Sequence, residues 1–167
     1  MKAPPLLPVE IFQRVTRLAR FDGLSVVAVA GVFALIAAAM GDYVGAVIGV
    51  LVAGAGAIEL HGVALLRHGD AQGMRWLIGS QFFLMASVLG YCGLRLAHPD
   101  LVPLRAAISD DLKAQLDMLG MTVDQFLVQF YRLVYLAVAF VTVLYQGGMA
   151  LYYLGKRSAV ETALKPE

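Results

Sequence analysis

The sequence predicts an all-α integral membrane protein: a four-transmembrane-helix bundle with an N-terminal interfacial amphipathic helix and a short helical extracytoplasmic cap between helices 3 and 4. Three observations point there. Four apolar runs reach bilayer length, Lys and Arg crowd the same side of all four, and the connection between the last two runs carries a helical stripe of its own.

Composition sets the class. Apolar residues make up 60% of the 167 residues and charged ones 15%, against about 45–50% and about 25% in ordinary soluble domains. Mean hydropathy is +0.75. A net charge of +1, with no basic face outside the helix flanks, gives no reason to expect nucleic acid as a partner. The single cysteine, Cys92, excludes an intramolecular disulfide and a multi-cysteine metal site.

Crossing a bilayer core takes about 20 apolar residues. The runs that meet this are 23–40, 43–66, 75–96 and 130–154, within a single membrane domain spanning 1–167. Only Gly41 and Asp42 separate the first two, which must form an antiparallel hairpin, with Asp42 placed to cap the second helix. Nine Lys and Arg residues flank one side: Lys2, Arg14, Arg17, Arg20, Arg67, Arg75, Lys156, Arg157 and Lys165. The other side holds four, Arg95, Arg105, Lys113 and Arg132, beside six Asp. Positive charge stays in the cytoplasm, so both termini are expected inside, in an inner (plasma) membrane. Trp76, Tyr152 and Tyr153 are then expected to belt the inner interface, with Tyr43, Tyr91 and Tyr131 near the outer one. Ala37–Met40 resembles a signal cleavage site, but the 22 preceding residues with two acids do not resemble a short basic n-region, so the first helix is expected to stay.

Residues 1–22 form the cytoplasmic interfacial segment. Pro4, Pro5 and Pro8 disfavour helix over the first eight. From Val9 onward, Ile11, Val15 and Leu18 share a face opposite Gln13, Arg14, Arg17 and Arg20, the pattern of a helix lying among lipid headgroups. Gly23 is expected to turn the chain into the membrane. Residues 97–129 form the extracytoplasmic segment. Pro103 suits a helical first turn, Ile108, Leu112, Leu116 and Leu119 make a stripe, and Gly120 is the natural stop. Thr122 and Gln125 match a capping box, which starts the last helix near Val123. Running to Leu154, that helix would be about 48 Å long. Residues 155–167 form the cytoplasmic tail.

Candidate sites lie inside the runs. Gly45, Gly49 and Ala53 recur at spacing four in the second helix, with Gly56 beyond, and Ala30, Ala34 and Ala38 do so in the first. Such rows let helix backbones approach closely in lipid. Glu59 lies on that close-packing face, within about 60° of Gly45, Val52 and Gly56. A charged acid at this depth is costly and normally faces protein or a water cavity. Ser25, Gln81 and Gln146 fall at similar depth, so Ser25, Glu59, Gln81 and Gln146 form a candidate polar layer. Its bland role is interhelical hydrogen bonding. Its functional role is proton, ion or substrate handling. His61 is about 200° round from Glu59, and no set of converging ligands for a metal is visible. His61 is also the only histidine at membrane depth, so one chain offers no haem ligand pair. No cofactor and no catalytic residue is expected.

Function follows from what remains. The leading expectation is a non-catalytic accessory, scaffold or assembly component, partnered by the bilayer and by a second copy or another membrane protein. The alternative is a small oligomeric transporter or ion-conducting protein using Glu59. A membrane enzyme or quinone protein would need a constellation that the sequence lacks.

Overall fold

The structure, a computed structural model, describes residues 7–164, and these are helices joined by short connections, with no strand among them. Six helices follow in order: α1 Pro8–Ala39, α2 Tyr43–Arg67, α3 Gly73–Ala97, α4 Val102–Ala106, α5 Asp110–Met118 and α6 Val123–Ala163. Helices α1, α2, α3 and α6 are long and apolar enough to cross a membrane. The chain forms two compact units. The first holds α1, α2, α3 as far as Val88, and α6 from Val143; the second is Leu89–Thr142.

In the first unit, α1 starts at Pro8, whose missing N–H costs nothing in a first turn. The Leu7 amide donates to the Glu10 carboxylate at 3.2 Å. The helix then runs without a break through Gly23 to Ala39. This corrects the expectation of a separate interfacial helix over 1–22: from Pro8 onward that segment belongs to the first long apolar helix. The prolines at 4 and 5, and Lys2, lie outside the described residues. Gly23 serves close approach instead of a turn, since a Cβ there would sit 3.1 Å from the Gly56 carbonyl oxygen. The buried face of this stretch is Val15, Thr16, Ala19 and Asp22, while Leu18 is exposed. Val15 and Ala19 pack with Val63, Leu66, Met74, Leu77, Met149, Tyr153 and Val160. Helix α6 likewise continues past Leu154 to Ala163, so most of the expected tail is helical; residues 165–167, with Lys165, lie outside the described residues.

Helices α1 and α2 form the expected hairpin. Gly41, at φ +77, makes the turn, and the Gly45 amide donates to Asp42 Oδ1 at 3.0 Å. The buried rows are Ala30, Ala34 and Ala37 against Gly45, Gly49 and Gly56. Ala37 replaces the expected Ala38, and Ala53 is only half-buried. The reason is geometric: a helix of 3.6 residues per turn keeps a straight contact by alternating steps of four and three, and a strict step of four drifts off it. A second close crossing joins α2 to α3, where a Cβ on Gly62 would lie 2.9 Å from the Gly73 carbonyl oxygen.

In the second unit, the Leu112 amide donates to Ser109 Oγ at the start of α5, and Gly120, at φ +66, ends it. The Thr122–Gln125 capping box is present in both directions, at 3.2 and 3.3 Å. The Leu stripe is shorter than expected: Leu116 is buried, but Leu119 is 76% exposed. Past Leu116 the chain bends into its Gly120 stop, with the Met121 amide donating back to the Leu116 carbonyl. Tyr131 is buried and lies tilted against Tyr135, which meets Tyr91 edge-on, while Arg95 lies over the Tyr91 ring. Arg105 pairs with Asp124, but both are well exposed, so the pair stabilises little.

Two expected outcomes follow. A Cβ on Gly49 would fall 2.8 Å from the Ala34 Cβ and 2.9 Å from its Cα, whereas one on Gly54 meets nothing within 4 Å. Gly49→Ala should destabilise by about 1–3 kcal/mol through overpacking, and Gly54→Ala should be neutral or stabilising by up to about 1 kcal/mol. Unfolding in detergent micelles measures both, and equal effects would refute the close-packed hairpin. Separately, Lys113 Nζ donates to Asp110 Oδ1 at 2.7 Å and holds that carboxyl below the usual carboxylate range. The contribution is present above that range and fades as pH falls through it. Lys113→Gln should return Asp110 upward to the ordinary range near about 3.9, read by carbon-detected NMR titration.

Candidate functional site

Glu59 is the centre of the site. It lies on the glycine face of α2 and is 1% exposed. Two groups donate to its Oε1: Tyr153 OH at 2.7 Å and Gln81 Nε2 at 3.1 Å. Helices α2, α3 and α6 thus meet on one carboxyl oxygen. From α1, the Asp22 carboxyl reaches the same place and interacts directly with Glu59. Asp22 is 6% exposed, and its Oδ1 accepts from Tyr145 OH at 2.9 Å. All four long helices therefore contribute, and every contact lies within the first compact unit.

Local sequence explains the convergence. Gly23 and Gly56 stand one residue after Asp22 and three before Glu59. A Cβ on Gly56 would lie 2.8 Å from the Gly23 carbonyl oxygen, so the α1 and α2 backbones touch where the two acids stand. On α6, Tyr145 and Tyr153 are eight residues apart, about 12 Å along the axis. Gln146 falls within about 20° of Tyr153 on the helical wheel. It is 8% exposed, and its Oε1 has no hydrogen-bond partner. Gln81 Oε1 and Asp22 Oδ2 are also buried without a partner.

Of the residues expected in the polar layer, Glu59 and Gln81 bond directly, and Gln146 is buried on the face of α6 that carries Tyr153. Ser25 is half-buried and donates to none of them. Its place is taken by Asp22, one turn earlier. Sequence reading missed Asp22 because only Phe21 separates it from Arg20, so it fell in the segment before the first apolar run. Tyr153, expected at the interface, is fully buried and bonded to Glu59 instead. The signal for Asp22 was the periodic face: Val15, Ala19, Asp22 and Val26 alternate steps of four and three, so Asp22 falls on it.

The chemistry is that of an acid pair. The groups interacting with Glu59 are Asp22, Gln81 and Tyr153, none of them a cation. Both carboxylates ionised would place two negative charges in an apolar bundle, which is strongly unfavourable. A proton shared by the pair would relieve that cost. Among the described residues, no group of three or more His, Cys, Asp or Glu converges on a metal position.

Tyr153→Phe keeps the ring and removes only the hydroxyl, so it should destabilise by about 1–2 kcal/mol in wild type. In a Glu59→Leu background the same substitution should cost much less, because the hydroxyl then has no carboxyl to meet. A double-mutant cycle of unfolding free energies reads the difference, and additive effects would show that the bond contributes nothing. No protein-family model, curated protein or solved structure matches this chain.

Proposed function

We propose that this chain is a multi-pass protein of the inner (plasma) membrane, with both termini in the cytoplasm, that loads and releases a proton at Asp22 and Glu59 as a small transporter or ion-conducting protein. The observation that carries the reading is the direct approach of two buried carboxyls inside the bundle.

Other features support it. Large apolar side chains are exposed along the long helices, among them Val29, Leu35, Val47, Leu133, Phe140 and Leu151. Surfaces of this extent are tolerable against lipid and a liability in water. The nine-to-four distribution of Lys and Arg favours the ends-inside orientation. Asp22 stands 18 residues before Met40 and Glu59 stands 17 after Asp42. Both are thus about 26 Å from the α1–α2 turn, within a hydrocarbon core about 30 Å thick and toward its cytoplasmic side. Acids at such depth are expensive and mark ion or proton pathways more often than packing sites.

Proton flux in liposomes tests the proposal. Wild type should acidify or alkalinise the lumen under an imposed gradient, and Glu59→Gln and Asp22→Asn should each reduce the rate at least tenfold. Absence of flux in the folded wild type would overturn the reading and leave the layer as interhelical glue in an accessory or assembly component.

A further inference from the structure

Two buried oxygens of the cluster lack a donor, Asp22 Oδ2 and Gln81 Oε1, and so does Gln146 Oε1 on the face of α6 that carries Tyr153. The donors nearby are already engaged. Tyr145 OH donates to Asp22 Oδ1, while Tyr153 OH and Gln81 Nε2 donate to Glu59 Oε1. Protons on the two carboxyls can supply the missing donors and cancel the charge. Release of one proton removes a donor and leaves a negative charge at the same moment. Among the polar groups named here there is no Lys, Arg or His to replace it. An unpartnered acceptor alone costs about 1–3 kcal/mol, and an uncompensated buried charge costs more.

A hard cation answers both deficits, because one ion draws several oxygens at once. The available ligands are carboxylate and amide oxygens, the set that suits alkali and alkaline-earth ions, with no sulfur or imidazole among them. Charge selects the monovalent class. One proton exchanged for one monovalent ion keeps the cluster neutral, and a divalent ion would have to displace both protons.

We propose that the cluster of Asp22, Glu59, Gln81 and Gln146 binds one alkali cation in exchange for one proton. This rests on the proton-loading reading above and names the ion that alternates with the proton. In the exchange a carboxyl O–H bond breaks, the proton leaves to solvent, and the carboxylate oxygen takes the cation; no electron moves. The titratable groups facing the site are Asp22 from α1, Glu59 from α2, and Tyr145 and Tyr153 from α6. Helix α3 contributes the neutral amide of Gln81. Because proton and cation compete, the cation binds more tightly as pH rises.

Purified full-length protein in detergent, at constant ionic strength, is titrated with NaCl or KCl against choline chloride. Thermal unfolding and proton release, followed by a pH dye in weak buffer, are the readouts. Sodium or potassium should raise the unfolding temperature, release one proton per chain, and bind roughly tenfold more tightly per pH unit while the exchange lasts. The two salts identify which ion is preferred. Asp22→Asn should abolish the response. Gln146→Leu removes an oxygen that holds no hydrogen bond, so it should fold as well as wild type in choline and still lose at least tenfold in cation affinity. Proton flux in liposomes without any sodium or potassium effect would overturn this inference and leave the proton reading standing, with water as the partner of the three oxygens. A cation effect without proton release would overturn the exchange. Neither flux nor cation effect would overturn both.

Discussion

The contact between the backbones at Gly23 and Gly56 is the constraint on which the rest of the site depends. In the membrane proposed for this chain, lipid would supply no hydrophobic force between helices, so association would rest on close packing and hydrogen bonds. With a hydrogen at each of these positions, the two helices touch backbone to backbone; a Cβ on Gly56 would meet the Gly23 carbonyl oxygen at 2.8 Å. The same approach presses Asp22 against Glu59. Ala34 against Gly49 holds the hairpin two turns further along, and Gly62 against Gly73 draws in α3. Small residues thus decide the geometry, and the acids are carried into it.

Stability alone does not account for the polar groups this geometry collects. Three hydrogen bonds reach the two acids, two of them buried and that of Tyr145 partly so, each contributing about 1 kcal/mol net. The unpartnered oxygens of Asp22, Gln81 and Gln146 each cost about 1–3 kcal/mol. The balance is near zero or unfavourable before any charge is counted, and Leu or Met in these places would pack without that cost. The proposed loading and release would account for a layer that engages all four long helices while stabilising the bundle so little.

Much of the fold was legible because it depends on local chemistry. Run lengths located the four long helices, Asp42 capped α2, Gly120 stopped α5, and Thr122 with Gln125 started α6. The errors share one cause. Gly23, Asp22 and Tyr153 were read from their neighbours in sequence: a glycine after a basic segment as a turn, an acid beside Arg20 as a flank, a tyrosine beside Lys156 as an interface anchor. Each is instead governed by the helix face it occupies, and faces become visible only when the period is followed past the end of the apolar run. The missing distinction is between a glycine that bends the chain and one that admits another backbone. Both look alike in a sequence, and only the opposing Gly56 separates them. The unpartnered oxygens could not be read at all, since they depend on which way each amide points once Glu59 has taken its donors.

The depth of the acid pair bears on direction. On the proposed orientation, Asp22 and Glu59 lie near the inner limit of the hydrocarbon core, with Arg14, Arg17 and Arg20 on the same helix beyond them. Exchange with the cytoplasm then needs little more than movement of the Tyr153 hydroxyl and the surrounding Val15, Ala19 and Leu66 packing. Along α6, Tyr145 stands about 12 Å from Tyr153 on the side away from the cytoplasm, and it reaches Asp22 while Tyr153 reaches Glu59. The two phenols therefore read the two acids separately. A proton shifted from one carboxyl to the other strengthens one phenol–carboxylate bond and weakens the other, since a hydroxyl donates better to an ionised oxygen than to a neutral one. On the proposed function, occupancy of the pair would in this way be transmitted to two different turns of α6, the mechanical link that coupled loading and release requires.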